Sequence, residues 1–596
     1  MQKVISISLV ILFVLSEFIT SNSFANTSTY SFYLSIISCY VITIILFIYK
    51  YKVQILDLHF SEILFFIFLF LAISNGAFTK SLSSEWIISG FSLLVFFMLI
   101  TRIKLSIKWL FIGFALFGIF QTAYGLLQYM NWYTGYLNSF RINGSFDNPA
   151  GFAASLSVCF PFTLFLLIKK ESYWKIAGGV AALLFIVAVF LSQSRAGIIA
   201  ILVISGIWMI EALNPRWLNR WSNRTKIVGS GLFVITLLVG LYFVKKDSAD
   251  GRLLIWQCSA HMIADKPLLG HGAGGFQREY MLYQADYFRT HPASSYTMRA
   301  DIVKHPFNEF VLLLVEHGLV GGVLFGLLVY LLIQEYRKNK QSETFYAMLC
   351  LSGIGVFACF SYPLGYPFVR LVAVFCAATI MHRETKAWKF PKGLFSVVKP
   401  IVLVITFVLL VFTAKMFYDE YSWNTIAKRS LAGETKEVMP DYARLYKTMN
   451  RNGLFLYNYG AELNYINKWD KSIVLLTECA NFYNDIDLQL LLADNYVQLK
   501  QYPKAEKCLL LAHQMIPNRF IPLYRLALLY KKEEKIHEAN RIAKIIVNKS
   551  EKVESIDVLT IKEEMKKLIR DNYYFIKNKG ENPINNEVIL NFAFSR

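Results

Sequence analysis

Four polar clusters hold the residues of this chain whose types and spacing suit chemistry. RINGSFDNPAGF, Arg141 to Phe152, is punctuated as a turn by Gly144 and Asn148-Pro149. Arg141 can meet an anionic substrate there, or stand as a solvated loop arginine. SQSRAG, Ser192 to Gly197, has apolar blocks on both sides and almost no loop, so Arg195 is held at the tip of a helical hairpin. A guanidinium fixed at a membrane edge suits bidentate binding of phosphate, with interfacial snorkelling as the bland alternative. GRLLIWQCSAHMIADKPLLGHGAGGFQREY, Gly251 to Tyr280, places Arg252, Trp256, Met262 and Ile263 on one face of an amphipathic helix before a glycine-rich turn. That turn is not a dinucleotide fingerprint, because no strand precedes it. HPFNEFVLLLVEHGLVGG, His305 to Gly322, opens an apolar segment, with Asn308 and Glu309 at the helix start. His305 is a natural acid/base near neutral pH. Glu316 lies two turns into that apolar segment, where a carboxylate is a functional candidate by default and a paired structural group otherwise.

The elements that must position these clusters are membrane helices. The chain has 596 residues, 55% apolar and 16% aromatic, with 17% charged, too little charge to cover a soluble protein of this size. Its apolar residues fall in blocks about as long as a helix needs to cross ~30 Å of hydrocarbon. Thirteen such segments are expected: 4–20, 30–49, 60–76, 86–101, 109–130, 150–168, 174–191, 196–212, 227–244, 308–333, 345–361, 366–382 and 400–418. The first doubles as a candidate signal peptide, with Ser23-Phe24-Ala25 as a small-x-small cleavage site. No broken span is evident. With the N-terminus cytoplasmic, the inside loops carry Lys50, Lys52, Arg102, Lys104, Lys108, Lys169, Lys170, Lys175, Arg216, Arg220, Arg224, Lys226, Arg337, Lys338, Lys340, Arg383, Lys386, Lys389 and Lys392. The short outside loops hold Lys80, Arg141 and Arg195. This obeys the positive-inside rule. It places segment 245–304 and everything after 418 outside, so all four clusters face away from the cytoplasm.

The net charge of +20 is spread between apolar blocks rather than gathered on one domain, which argues against a nucleic-acid partner. The eight cysteines form no CxxC pair and no metal-ligand spacing. Beyond about residue 452 the composition turns soluble and periodic. Gly460, Ala493 and Ala527 are spaced 33 and 34 apart, as are Ser472, Ala505 and Ala539. The middle unit carries Leu492, Ala493, Tyr496, Ala505, Ala512 and Pro517 of the tetratricopeptide pattern, with Gln489 where a large apolar residue is usual. Helix pairs are expected over 453–553, with a degenerate pair before them and capping helices after. An irregular bundle is the alternative. The fold class expected is therefore all-α: a polytopic membrane bundle of about 13 spans followed by a soluble helical repeat domain. Its parts are N-terminal spans 1–130, a membrane core 131–418 that includes the extracytoplasmic loop 245–304, and repeats 419–596.

Taken together, the clusters resemble the family of O-antigen ligases, O-antigen polymerases and bacterial protein O-oligosaccharyltransferases. The resemblance rests on Ser194-Arg195-Ala196-Gly197, on Arg252 through Phe276, and on His305 through Gly321, where Asn308, Glu316, Gly318 and Gly321 keep the family spacing. It covers about 140–330, and the repeats stand outside it as an appendage. The family histidine directly precedes the asparagine; here Phe307 stands at that position and His305 is two residues earlier. The resemblance implies an undecaprenyl-diphosphate-linked glycan as donor, a lipid A-core, glycan or protein acceptor, no cofactor and no metal. Location would be the bacterial inner membrane, with the C-terminal part periplasmic. Arg141, Arg195 and Arg252 would bind the diphosphate; His305, Asn308 and Glu316 would be catalytic, and the repeats could hold a protein partner. A transporter of lipid-linked glycan and a non-catalytic scaffold are the competing classes. Gathering of the polar candidates on one face of the membrane disfavours a transport path.

Overall fold

The computed structural model describes residues 27–48, 57–79, 83–102, 106–132, 140–213, 222, 246–381, 387–389 and 395–578. The chain divides into two compact units, the first made of 1–246, 262–276 and 305–451, the second of 247–261, 277–304 and 452–596.

In the first unit the described helices are α1 (Thr27–Ile48), α2 (Phe60–Phe78), α3 (Ser84–Arg102), α4 (Ile107–Tyr129), α5 (Pro149–Leu167), α6 (Ser172–Leu191) and α7 (Arg195–Trp208). Helix α8 (Lys246–Asp265) and helix α9 (Gly275–Thr290) run between the two units in sequence. Then come α10 (Glu309–Lys338), α11 (Ser342–Ala358), α12 (Pro367–Met381), α13 (Phe395–Arg429) and α14 (Thr435–Met449). Among the described residues eight helices are long and apolar enough to cross a membrane, and three shorter apolar ones accompany them at Tyr33–Ile45, Ser342–Ala358 and Pro367–Met381. The expected segments 4–20 and 227–244 lie outside the described residues. The protein is a multi-pass membrane protein of helices; among the described residues the one ladder, β1 (Asp57–His59) with β2 (Ala387–Lys389), pairs three residues antiparallel.

Helix α5 is the axis of this unit. Of its most apolar stretch 89% is buried, and a helix apolar all round belongs at a bundle centre. It packs against α4, α6, α7, α11 and α12, among Phe111, Phe117, Phe152, Phe160, Phe162, Phe165 and Phe185. Phe117 and Phe368 stack with centroids 4.0 Å apart. Glu62 at the start of α2 pairs with Arg102 at the end of α3, Nη2 to Oε2 2.7 Å, both side chains buried. A buried charge is tolerable only when paired in this way. The β1–β2 ladder joins two segments expected to share the cytoplasmic side.

Helix α10 departs from expectation. It is broken at Gly318, whose φ of 60° and ψ of −162° are open to glycine alone. The reading that no span is broken is thus corrected. A break in apolar surroundings leaves backbone groups without partners, which is costly unless other protein supplies them.

The second unit stacks helix pairs: α15 (Gly453–Tyr465) with α16 (Trp469–Cys479), α17 (Ile486–Gln498) with α18 (Tyr502–Met515), and α19 (Ile521–Lys532) with α20 (Ile536–Asn548), followed by α21 (Ile556–Asn578). Inside each pair the turn contains one left-handed residue: Asn467 (φ 62°), Lys500 (φ 58°) and Glu534 (φ 58°). Each is followed by the same closing bond, Lys468 N–H to Leu463 O, Gln501 N–H to Tyr496 O and Lys535 N–H to Tyr530 O, 2.8, 2.8 and 2.9 Å. This is a Schellman-type helix end, and it recurs at the period of the small buried residues Gly460, Ala493 and Ala527. The repeat is therefore in the backbone as well as in the side chains.

Candidate functional site

Asn148 caps α5, its Oδ1 accepting the N–H groups of Ala150 (2.9 Å) and Gly151 (3.0 Å). The loop before it is braced by α4: Gln128 Nε2 donates to Gly144 O (2.9 Å), and Gln128 Oε1 accepts from Gly144 N–H (2.8 Å). Ser145 N–H donates to Gln121 Oε1 (3.2 Å). Arg141, at the start of this loop, is exposed.

Asn148 also reaches the turn between α11 and α12. Its Nδ2 donates to the Tyr362 hydroxyl (3.3 Å), and the Tyr366 hydroxyl donates to its Oδ1 (2.9 Å). Tyr362 and Tyr366 stack with centroids 5.7 Å apart. On Tyr362 the His305 ring stacks at 4.4 Å and 18°, and the Phe307 ring meets it edge-on at 5.6 Å. Phe307 holds a positive φ of 54°, a conformation costly for a bulky side chain. Phe307, at the position where the resemblance led one to expect the histidine, and His305 two residues before it thus meet the same tyrosine ring.

Asn308 caps α10 through Phe310 N–H (2.9 Å) and Val311 N–H (3.1 Å), while its Nδ2 donates to Cys359 O (3.1 Å). Glu309 Oε1 accepts Leu364 N–H (2.9 Å). The N-termini of α5 and α10 are thereby tied to one turn, 359–366. Asp147, beside Asn148, accepts from Asn148 Nδ2 (3.0 Å); burial raises the pKa of its carboxyl. Burial likewise raises the Tyr362 phenol. Arg195 is the first residue of α7 behind the cap Ser194, and Gly197 packs on Ala153, one turn into α5. Arg195 therefore also lies at the α5 N-terminal end. Helix N-termini carry partial positive charge and unpaired N–H groups, which favour anions.

Glu316 is placed differently. The break in α10 is filled by the glycine-rich segment. His271 N–H donates to Val315 O (2.8 Å) and Gly272 N–H to Glu316 O (2.9 Å). Leu319 N–H donates to Pro267 O (2.8 Å) and Val320 N–H to Leu268 O (3.1 Å). The Glu316 carboxylate accepts Gly274 N–H (3.0 Å), and His271 Nε2 donates to Met262 O (2.8 Å). Gly270, with φ 70°, has Glu316 backbone where a Cβ would stand, 2.5 Å away. So Glu316 meets the glycine-rich loop, whereas His305 and Asn308 meet the tyrosine turn.

Arg252 belongs to the second unit. The buried face of α8 is Leu254, Ile255, Cys258, Ser259 and Met262, a stripe at helical spacing. This differs from the expected face: Arg252, Trp256 and Ile263 are half-buried beside it. The residues that sequence reasoning missed are Asp147, Tyr362 and Tyr366. The available signal was the Tyr362-Pro363 and Tyr366-Pro367 doublet in a short turn between two apolar segments.

The fold and this site define a multi-pass membrane protein in which Asn148, Arg195 and Asn308 stand at helix N-termini. Residues 180–326, which include Arg195, Arg252, His305, Asn308 and Glu316, match the family model described as O-Antigen ligase, and the chain carries that domain. It is similar to the ComP-specific O-oligosaccharyltransferase of Acinetobacter baylyi, 22% identical over 42% of this chain and 46% of the relative. It is similar to the exopolysaccharide production protein ExoQ of Rhizobium meliloti, 26% identical over 33% of this chain and 46% of the relative. A putative polysaccharide ligase of Rickettsia typhi is 28% identical over 27% and 42%. The chain thus spans less than half the length of these relatives.

Proposed function

We propose that this protein is a membrane glycan ligase that moves a glycan from undecaprenyl diphosphate to an acceptor hydroxyl on the periplasmic face of the inner membrane. The observation that carries the reading is the meeting of the α5 and α10 N-termini at the His305–Tyr362 stack, inside and beside the O-antigen ligase domain. Arg195 and Arg252, with Arg141, neutralise the diphosphate and stabilise it as a leaving group. His305 orients the acceptor hydroxyl and takes its proton as the oxygen attacks the anomeric carbon. The bond from that carbon to the diphosphate oxygen breaks with inversion, and the lipid diphosphate leaves. No nucleotide enters this reaction, and the guanidinium groups supply the charge a metal would otherwise supply. Asn308 holds the start of α10, and Glu316 holds the glycine-rich loop. The acceptor is lipid A-core, a growing glycan or a protein hydroxyl.

A broken helix can also build a transport site, when its freed backbone groups are left to bind substrate. In α10 four of those groups are consumed by segment 267–272, which supports a braced loop over a transport path.

The test is deletion of the gene, with glycolipid and glycoprotein resolved on one glycan-stained gel and polyprenyl-linked glycan quantified. Accumulated lipid-linked glycan and loss of one product class support the ligase and name its acceptor; shortened chains name a polymerase. Unchanged pools in a strain lacking other homologues overturn it. Within the protein, Arg195→Ala and Arg252→Ala should each abolish transfer at normal membrane levels.

A further inference from the structure

The second unit contains more than the helical repeats. The flanks of the large loop, 247–261 and 277–304, belong to it, and two buried amides fasten them. Gln284 on α9 is fully buried; its Nε2 donates to Met515 O at the end of α18 (2.7 Å) and to Asp301 O (3.2 Å). Its Oε1 accepts the Tyr280 hydroxyl (2.9 Å). Asn518, buried in the turn between α18 and α19, sends both Nδ2 hydrogens to loop carbonyls, Thr297 O (3.0 Å) and Ala300 O (2.8 Å). A buried amide is costly unless its hydrogens find acceptors. Here both donors of a repeat residue are given to the loop, so this turn is built for the loop and not for the stacking of repeats. Outside the amides, Arg519 reaches Asp301 at 3.2 Å. The segment so fixed carries Arg299, whose guanidinium lies 4.0 Å from Asp250. Gly251 faces Arg299 as well. Arg252 follows directly on α8.

We infer that the helical repeats are the mount of the arginine helix: Asn518 and Gln284 are positioning residues that act on the diphosphate through Arg252. This rests on the reading of Arg252 under the proposed function. It gives the repeats a part in the reaction whether or not they also bind a partner.

The test uses the full chain reconstituted in liposomes with lipid-linked glycan. Asn518→Ala and Gln284→Glu should lower kcat/KM for the donor by ~10-fold or more, since small misplacements of a binding group cost that much, with rates taken per folded molecule because the carbonyls left unpaired also lower the thermal midpoint. Combined with Arg252→Lys, which keeps a cation but loses the rigid guanidinium fork that the mount orients, they should cost less than the product of the single losses. If Asn518→Ala fails to accumulate, Arg299→Ala, on the half-exposed side of the link, reads the same connection. Wild-type kinetics in the amide variants while Arg252→Ala is inactive would overturn the inference and leave the ligase reading standing. Fully multiplicative losses with Arg252→Lys would also overturn it, since they mean general destabilisation. An active Arg252→Ala would instead bring down the diphosphate role of Arg252.

Discussion

The imidazole of His305 lies on the ring of Tyr362, centroids 4.4 Å and planes 18° apart. The same tyrosine accepts a hydrogen bond from Asn148, the cap of the central helix. The proposed acid/base group, on a loop, is thereby referred to the most buried of the described membrane helices. Tyr362→Phe keeps the stack and loses only the hydroxyl, so transfer should stay within a few-fold of wild type. Tyr362→Ala should lose ~100-fold, the scale of an Ångström-sized misplacement. Single-turnover rates on lipid-linked donor decide; equal activity in both variants would remove Tyr362 from the positioning of His305.

Glu316 accepts the N–H of Gly274, and an amide oxygen can do the same. Glu316→Gln should therefore keep transfer and an unchanged pH profile, whereas Glu316→Ala should lose most activity. A glutamine variant as inactive as the alanine one would restore an acid/base role for this carboxylate.

The conformation of Gly318 is closed to other residues, and a Cβ there would stand 2.3 Å from Leu268 O. Gly318→Ala should destabilise the first unit by ~2 kcal/mol or more through strain and the lost pairing with the loop. Thermal unfolding in detergent, followed at several temperatures, measures it. Gly326→Ala, where nothing lies within 4 Å, is the matched control on the same helix.

His513 on α18 is half-buried with its Nδ1 shielded from solvent and without a partner, and desolvation lowers its pKa from 6.5 to about 4. Between those values the unfolded chain binds the proton and the folded chain does not. Stability of the second unit should therefore fall as pH drops from 6.5 toward about 4, by up to ~1.4 kcal/mol per pH unit. Below about 4 that dependence should level off. His513→Gln should flatten this part of the profile in thermal melts; an unaltered slope would assign the acid sensitivity to other groups.

Much of this molecule is written locally. Apolar runs of membrane-spanning length, and small residues such as Gly460, Ala493 and Ala527 at a fixed period, determine helices and repeats because helix formation and close helix contact depend on near neighbours in the chain. Likewise Arg195, Arg252, His305, Asn308 and Glu316 were visible as polar interruptions of apolar blocks. Their partners were not. Tyr362 meets Asn148 across 214 residues, and Asn518 meets Ala300 across 218. The break at Gly318 looks in sequence like any glycine in an apolar run, and it is stable only because segment 267–272 supplies partners for the freed backbone. Glu316 differs from His305 in surroundings for the same reason: what a buried polar group does is set by which distant donors reach it, and only the folded chain brings those together.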